Sequence, residues 1–222
     1  MARPMPDPAP VTTATLPSYR PAVRSSTPSS FGSYIMHSMH TTTDGTDDRL
    51  AADVRLLLDR QAIWDCLMRY TRGVDRLDAD LIRSAFWEDG HDSHGQMDGS
   101  PENFIETWMP TQARREACQH SVTNHAVVID GDVADAETYF QVAIRNSGSD
   151  NLELVGGRYL DRYERREGQW RIFTRLVVLD WQCRADASGM DRRLAGSHRG
   201  SRDRQDPSYE RPVRPRTPPP TA

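Results

Sequence analysis

Three residues in this sequence, His120, Asp75 and Tyr70, belong to the types that move protons in enzymes. His120 lies in a segment where apolar and polar residues alternate, as in a half-buried strand. Most even-numbered positions there are apolar, so we expect His120 and Asn124 to face inward and His125 to face outward. An inward histidine without a partner is more often a hydrogen-bonded core residue than a catalyst. A catalytic role for His120 therefore requires a second side chain that can act as its partner.

Asp75 is the candidate partner, because it follows the apolar stripe of the first predicted helix. Tyr70 closes that stripe and should point towards the sheet. A hydrogen bond from Nδ1–H of His120 to Asp75 would fix the tautomer and leave Nε2 free as a general base. The Tyr70 hydroxyl could stabilise a developing oxyanion. This set suits removal of a proton next to a carbonyl, although spacing alone also allows Asp75 to be the N-cap of a second helix.

The apolar period predicts three helices. The first runs from about residue 49 to 72, with Gly73 as a stop signal, and the second covers 78–87. The third begins at Ser100-Pro101, where a capping residue precedes a proline. The polar, glycine-punctuated segment 90–99 is predicted to be a loop or a short hairpin.

The second half of the domain has the period of strands. Four strands are predicted at 118–130, 132–146, 152–166 and 169–183. Helices followed by an antiparallel meander predict an α+β fold, with helices on one face of a curved sheet. Gly156-Gly157 should let the sheet bend in the middle of a strand.

Proline is concentrated at the two ends of the chain, with seven of the 15 prolines in residues 1–48 and six in 201–222. We therefore predict a disordered tail over 1–45, a folded domain over 46–185 and a disordered, arginine- and proline-rich tail over 186–222. The folded part is of a size typical for one domain.

Composition also restricts the partners and the compartment. A net charge of −4 argues against nucleic acid. No apolar run approaches the ~18 residues of a membrane-spanning helix. Three cysteines without framework spacing indicate a reduced, cytoplasmic protein. The histidine pairs His91/His94 and His37/His40 offer too few ligands to predict a metal site, and no motif indicates a cofactor.

Several of these segments together resemble the SnoaL-like branch of the nuclear transport factor 2-like superfamily. The resemblance spans about residues 50–182. It is carried by Tyr70-Thr-Arg-Gly-Val-Asp75, Gln119-His-Ser-Val-Thr-Asn124, Val128-Ile-Asp-Gly-Asp-Val-Ala134 and Gly156-Gly-Arg-Tyr159. It implies a cone-shaped α+β barrel, in which a strongly curved sheet wraps around the helices and a pocket opens at one end.

Within that superfamily the motif is similar to the dehydratase-type branch, which includes bile acid 7α-dehydratase and, more distantly, scytalone dehydratase. The resemblance implies that His120 and Asp75 are the catalytic pair and that Tyr70 is the catalytic tyrosine. Scytalone dehydratase has a second catalytic histidine whose place falls near Ala143 here, so its own reaction is not expected.

Three further residues are assigned to substrate binding. His94 lies in the region where scytalone dehydratase has a pocket tyrosine, and Asn124 shares the predicted inner face of His120. Tyr159 lies on one side of its strand and Arg158 on the other, and parity leaves open which side lines the cone.

We therefore predict a cofactor-independent lyase or isomerase that acts on a small hydrophobic cyclic metabolite, working as a homodimer or homotrimer. Two alternatives stay open. One is a non-catalytic ligand-binding or interaction module that uses the basic tail. The other is the structural β subunit of a ring-hydroxylating oxygenase.

Overall fold

In a computed structural model, residues 44–189 and 197–217 are described, and they form helices followed by a curved sheet. The helices are α1 (Asp44–Arg76), α2 (Ala79–Ala85) and α3, which joins Pro101–Asn103, a π-helical turn over Phe104–Trp108, and Met109–Gln112. The strands are β1 (Phe86–His94), β2 (Met97–Gly99), β3 (Arg115–Asp130), β4 (Val133–Asn146), β5 (Asn151–Arg166) and β6 (Gln169–Asp186).

The six strands form one unclosed sheet in the order β2-β1-β6-β5-β4-β3. The last four strands are an antiparallel meander, and β1 joins β6 in parallel. The α+β fold predicted from the sequence is therefore confirmed, with the helical residues Ile63, Leu67 and Tyr70 fully buried. The register of β5 against β6 shifts at Gly156 and Gly157, where a Cβ would meet the ring of Trp181 or the carbonyl of Val178.

Helix α1 runs three residues beyond Gly73, so the predicted stop signal there is wrong. This glycine instead allows close packing, because a Cβ on it would lie 2.7 Å from Cγ1 of Ile82. Asp75 consequently lies in the last turn of α1. The N-cap of α2 is Asp78, whose side chain accepts a hydrogen bond from the backbone of Leu81.

The first turns of α1 project away from the core. Leu50, Val54 and Leu57 are exposed, so the apolar stripe predicted for this helix faces inward only from Ile63 onwards. The helices of the described segments include none that is both long and apolar enough to cross a membrane.

The segment 90–99, predicted as a loop or a short hairpin, is a hairpin in which the end of β1 pairs with β2. Strand β1 reaches His94 and pairs with β2 on one side and with β6 on the other. Gly90 is required where β1 meets β6, because a Cβ there would lie 2.9 Å from the carbonyl oxygen of Phe173. The polar residues left a loop and a hairpin both open, and the structure shows that Gly90 and Asp92 are buried in the alternating pattern of β1.

A bulge in β3 reverses the alternation of its side chains. Val122 pairs with Phe140, but His125 pairs with Thr138, so β3 holds one residue more than β4 between these points. His125 therefore faces inward and hydrogen-bonds the hydroxyl of Thr138 at 2.8 Å. Asn124 is exposed. The prediction that Asn124 shares the inner face of His120 is wrong, and so is the outward orientation predicted for His125.

Within the described C-terminal residues, 202–209 pack against the turn between α1 and α2, so the predicted disorder of 186–222 is wrong for them. Asp78 accepts hydrogen bonds from the Tyr209 hydroxyl at 2.7 Å and from Arg204 at 3.0 Å. Asp206 lies 3.4 Å from Arg76. Charged pairs across the turn hold a segment whose composition alone indicated a solvated tail. The predicted N-terminal tail, 1–45, lies outside the described residues except for its last two.

Candidate active site

His120 and Asp75 make two hydrogen bonds to each other across 45 residues of sequence. Nδ1 of His120 lies 2.7 Å from Oδ1 of Asp75, and the backbone N–H of His120 donates to Oδ2 at 3.0 Å. The side chains are 9% and 15% exposed. Because Nδ1 is engaged by the carboxylate, Nε2 is the ring nitrogen that remains for proton transfer.

A cavity of about 140 Å³ borders His120, and Tyr70, His94 and Tyr159 also line it. Its remaining walls are largely apolar and include Trp108, Phe140, Val142, Ile144, Val155 and Leu179. A cavity of about 150 Å³ with such walls holds one benzene ring. Four larger depressions lie at the surface of the described residues, and of these the one formed by the C-terminal segment carries a histidine, His198.

Tyr70 is fully buried, and its hydroxyl makes no hydrogen bond of good geometry within the described residues. Burial raises its pKa, and the nearby charge of Asp92 raises the pKa further. The phenol therefore stays protonated at neutral pH and is a donor. Its ring meets those of Phe86 and Tyr159 edge-on, at 5.7 and 5.9 Å between centroids.

Tyr159 also faces the cavity. The side of β5 that carries Tyr159 therefore lines the cone, which the alternation of residues alone left open. It is 1% exposed and stacks on Phe140 at 4.3 Å. Burial raises its pKa well above the ordinary value for tyrosine. Arg158 lies on the outer face, where it pairs with Asp180 and Glu137.

His94 lies at the cavity wall beside two aromatic rings. Its ring centroid is 5.4 Å from that of Phe104 and 5.7 Å from that of Trp108. Nδ1 of His94 is 3.7 Å from Oδ1 of Asp92. Asp92 is 3% exposed, and neither of its oxygens has a hydrogen-bond partner among the described residues. Sequence reasoning placed Asp92 in the same polar segment as His94 but assigned only His94 to the site, although the period of two linking Asp92 to Gly90 and His94 was a usable signal.

Arg175 and Asp161 form a buried ion pair behind Tyr70 and Tyr159. Nε and Nη2 of Arg175 lie 2.7 and 2.6 Å from the two carboxylate oxygens. Burial disfavours the guanidinium charge, but the charge of Asp161 outweighs this and holds the pKa of Arg175 well above its usual value. The guanidinium carbon lies 4.1 and 4.0 Å from the centroids of Tyr70 and Tyr159. Nothing in the sequence pattern indicated this pair, because it depends on the register of β5 against β6.

Cys118 lies beside the dyad, with its sulfur 4.0 Å from Nδ1 of His120. Ligand atoms of Asp75, Cys118 and His120 all fall within 4.8 Å of one another. Burial raises the pKa of the Cys118 thiol to about 12, and the charge of Asp75 adds to this shift. The Cys118 thiol is therefore protonated, and it lies next to Asp75 and His120, which already bond each other. The three side chains form a hydrogen-bonding arrangement.

The histidine pair His91 and His94, noted in the sequence, does not form a ligand cluster within the described part of the chain. His91 is exposed and pairs with Asp98 at 2.9 Å, whereas His94 lines the cavity. His37 and His40 lie outside the described residues.

The fold and this site define an α+β cone whose inner face carries a histidine–aspartate pair beside a ring-sized cavity. Residues 55–176 match the family model of the SnoaL-like domain. The chain therefore belongs to the SnoaL-like family, within the superfamily that the sequence resembled. No curated protein sequence matches the chain.

Solved structures of low sequence identity share the fold. A hexachlorocyclohexane dehydrochlorinase (LinA-type3) from Novosphingobium barchaimii is 20% identical, with a TM-score of 0.54 over 60% of this chain and 94% of that one. A putative scytalone dehydratase from Novosphingobium aromaticivorans is 16% identical, with a TM-score of 0.53 over 57% and 87%. The Kfla4162 protein from Kribbella flavida is 19% identical, with a TM-score of 0.54 over 58% and 95%.

Proposed function

We propose that the protein is a cofactor-independent lyase or isomerase that acts on a small hydrophobic cyclic metabolite. The observation that carries the proposal is the 2.7 Å bond between Asp75 and His120 at the wall of a ring-sized cavity. The structural neighbours named above as a dehydrochlorinase and a putative dehydratase are consistent with elimination chemistry.

In the proposed step, Nε2 of His120 removes a proton from a carbon next to a carbonyl. Asp75 stabilises the imidazolium that forms. The Tyr70 hydroxyl donates to the carbonyl oxygen as negative charge develops there, in a site where burial strengthens the interaction. Loss of a leaving group from the neighbouring carbon completes a lyase reaction, and return of the proton to another carbon completes an isomerase reaction.

The proposal is tested with 3-hydroxycyclohexanone, a one-ring probe that loses water to give cyclohexenone. Formation of the enone is followed by its ultraviolet absorbance. We expect acceleration by the wild type and a loss of about 10²–10⁴ in rate for His120→Gln, the range for one acid–base group. The matched control is His91→Gln, because His91 is exposed and pairs with Asp98. No acceleration by the wild type, or an undiminished rate in His120→Gln, contradicts the proposal.

The alternative of a non-catalytic interaction module relied on a free basic tail. Within the described residues, Arg202 and Arg204 of that tail bond the domain itself. This favours the enzyme over the module. The oxygenase β subunit has no specific support in the site and stays a prediction.

Self-association and compartment are part of the proposal. Leu176 and Trp181 are exposed on β6, and we propose that a second or third copy of the chain covers this surface. Cys66, Cys118 and Cys183 are all free thiols, in keeping with the proposed reducing cytoplasm.

A further inference from the structure

Two polar side chains of β1, Asp92 and His94, carry buried atoms that lack the hydrogen-bond partners such atoms require. His94 lines the cavity, and Asp92 lies next to His94. Both oxygens of Asp92 and Nδ1 of His94 are buried and make no hydrogen bond within the described residues. They lie 3.7 Å apart at their nearest atoms. A buried carboxylate without a hydrogen bond is strongly unfavourable in a folded protein. Such groups are therefore kept where something else supplies the partner.

The donors and acceptors of this pair select the ligand group. Asp92 can only accept a hydrogen bond, and His94 can donate one. A hydroxyl satisfies both, because it donates and accepts. A carbonyl has no proton to give Asp92, and a carboxylate would be repelled by it. The stacked rings of Phe104 and Trp108, 4.5 Å apart, adjoin His94 and suit a ring that carries the hydroxyl.

We propose that Asp92 and His94 form a subsite for the hydroxyl of a cyclic β-hydroxy ketone, the same hydroxyl that leaves as water. This inference rests on the proposed function, which it deepens by naming the substrate class. Tyr70 remains free to donate to the ketone oxygen. In the step, His120 takes the carbon-bound proton and the carbon–carbon double bond forms. The carbon–oxygen bond breaks with its electron pair on oxygen, and a proton from His94 completes the water. Solvent then returns the proton from His120 to His94.

The test measures binding in a His120→Gln background, so that turnover does not interfere. The probes are 3-hydroxycyclohexanone and 3-methylcyclohexanone, which differ only in hydroxyl against methyl. We expect the hydroxy ketone to bind at least about tenfold more tightly, because one well-made hydrogen bond changes the affinity by about this factor. Adding Asp92→Leu should abolish the preference, and adding the matched control Asp98→Asn should leave it intact, because Asp98 is exposed.

Equal binding of the two ketones, no binding of the hydroxy ketone, or a preference that survives Asp92→Leu overturns the subsite. Asp92→Asn is the second variant if Asp92→Leu does not fold, and it should weaken the preference. A preference that is present while the wild type fails to form cyclohexenone would retain the subsite and reject the proposed catalysis. The two failures are therefore distinguishable.

A separate observation concerns Arg202, whose guanidinium donates to four backbone carbonyls. Nη2 donates to Val74 at 3.0 Å and Nε to Asp75 at 3.1 Å. Nη1 donates to Gln112 at 2.6 Å and to Arg115 at 3.2 Å. The first two acceptors lie in the last turn of α1, and the last two lie at the end of α3 and the start of β3.

These contacts join the two elements that carry the dyad. Asp75 lies on α1, and His120 lies five residues beyond Arg115 on β3. Arg202 lies outside the family match, which ends at residue 176. Its segment is anchored by Tyr209, which bonds Asp78. We infer that Arg202 is a positioning residue that holds Asp75 and His120 in register.

The test needs no substrate. A proton shared between an imidazole nitrogen and a carboxylate gives a far-downfield proton NMR signal, which Asp75→Asn should remove and so assign. We expect Arg202→Met to lose this signal while the fold is retained. Arg216→Met should keep it, because Arg216 pairs with Glu210 at the surface.

An unchanged signal in folded Arg202→Met overturns the inference, because a merely structural role would lower stability without altering the dyad. If Arg202→Met does not fold, the same NMR signal is measured in Arg202→Lys. It keeps the charge but cannot reach four carbonyls with a planar fork of donors. A signal of wild-type position and intensity in Arg202→Lys would equally overturn the role.

Discussion

Asp75 binds His120 twice, through the imidazole ring at 2.7 Å and through the backbone N–H at 3.0 Å. The carboxylate therefore holds both the ring and the strand that carries it. This double contact couples the orientation of the base to the packing of α1 against β3.

Asp75→Asn should lower the rate of cyclohexenone formation by about 10²–10⁴, because the amide no longer stabilises the imidazolium. The two residues act as one unit, so the double variant Asp75→Asn/His120→Gln should be no slower than His120→Gln alone. Rate measurements on the single and double variants give the coupling. Additive losses would show that the residues work independently.

Tyr70→Phe should separate catalysis from stability. The hydroxyl has no partner of good hydrogen-bond geometry, so its removal should change the free energy of unfolding by less than about 1 kcal/mol. The rate should fall by about 10²–10³, as expected when one oxyanion donor is removed. Urea unfolding and the enone assay measure the two effects. A variant that is strongly destabilised, or that keeps the full rate, would exclude this role.

Arg175→Met should be among the most destabilising single changes in the domain. It leaves Asp161 buried without its charged partner, and breaking a buried pair in this way costs about 3–5 kcal/mol. Arg175→Met/Asp161→Leu should recover much of the lost free energy of unfolding, because no unpaired charge remains. Denaturant titration of the wild type, Arg175→Met and Arg175→Met/Asp161→Leu tests this. Failure of the double variant to recover would show that the stacking of Arg175 on Tyr70 and Tyr159 matters more than the pair.

Acid should release the C-terminal segment at Asp206. Burial opposes its ionisation, but hydrogen bonds from Ser208 and Ser201 outweigh burial and lower its pKa to about 2. A depressed pKa in the folded state means that this stabilisation is full above about pH 4, the value for a free aspartate, and is lost as pH falls towards 2. The amide proton shifts of Ser201 and Ser208 should titrate with a midpoint near 2. Asp206→Asn should abolish that titration, and a midpoint near 4 would contradict the depressed pKa.

Thiol reactivity should be confined to one of the three cysteines. Burial raises the pKa of Cys66 to about 11 and that of Cys118 to about 12, whereas Cys183 is exposed. A disulfide reagent at pH 8 should therefore modify one thiol quickly in the native protein and all three after unfolding. The variant Cys183→Ser should remove the fast phase. Fast labelling of Cys118 would show that its thiol is not shielded as described.

The α+β order of elements and the four meander strands could be predicted from the sequence pattern, and the family resemblance indicated the candidate dyad. Strand ends were predicted within three residues, because turns at Asp130-Gly131 and Glu167-Gly168 interrupt a clear period of two. Tyr70 and Asp75 were identifiable because a short motif carries them. Strands, turns and the short motif are local, so neighbouring residues are enough to indicate them, whereas the pairing of Asp75 with His120 spans 45 residues.

The orientation of Asn124 and the roles of Asp92, Arg175 and Arg202 depend on tertiary contacts, so they could not be predicted from the sequence. The bulge that turns Asn124 outward is a mismatch between β3 and β4, and one strand alone does not reveal it. Arg175 finds Asp161 through the register of β5 and β6, and Arg202 reaches Asp75 from 127 residues away. Such contacts depend on which distant elements pack together. Composition and period describe one element at a time, so they cannot specify that packing.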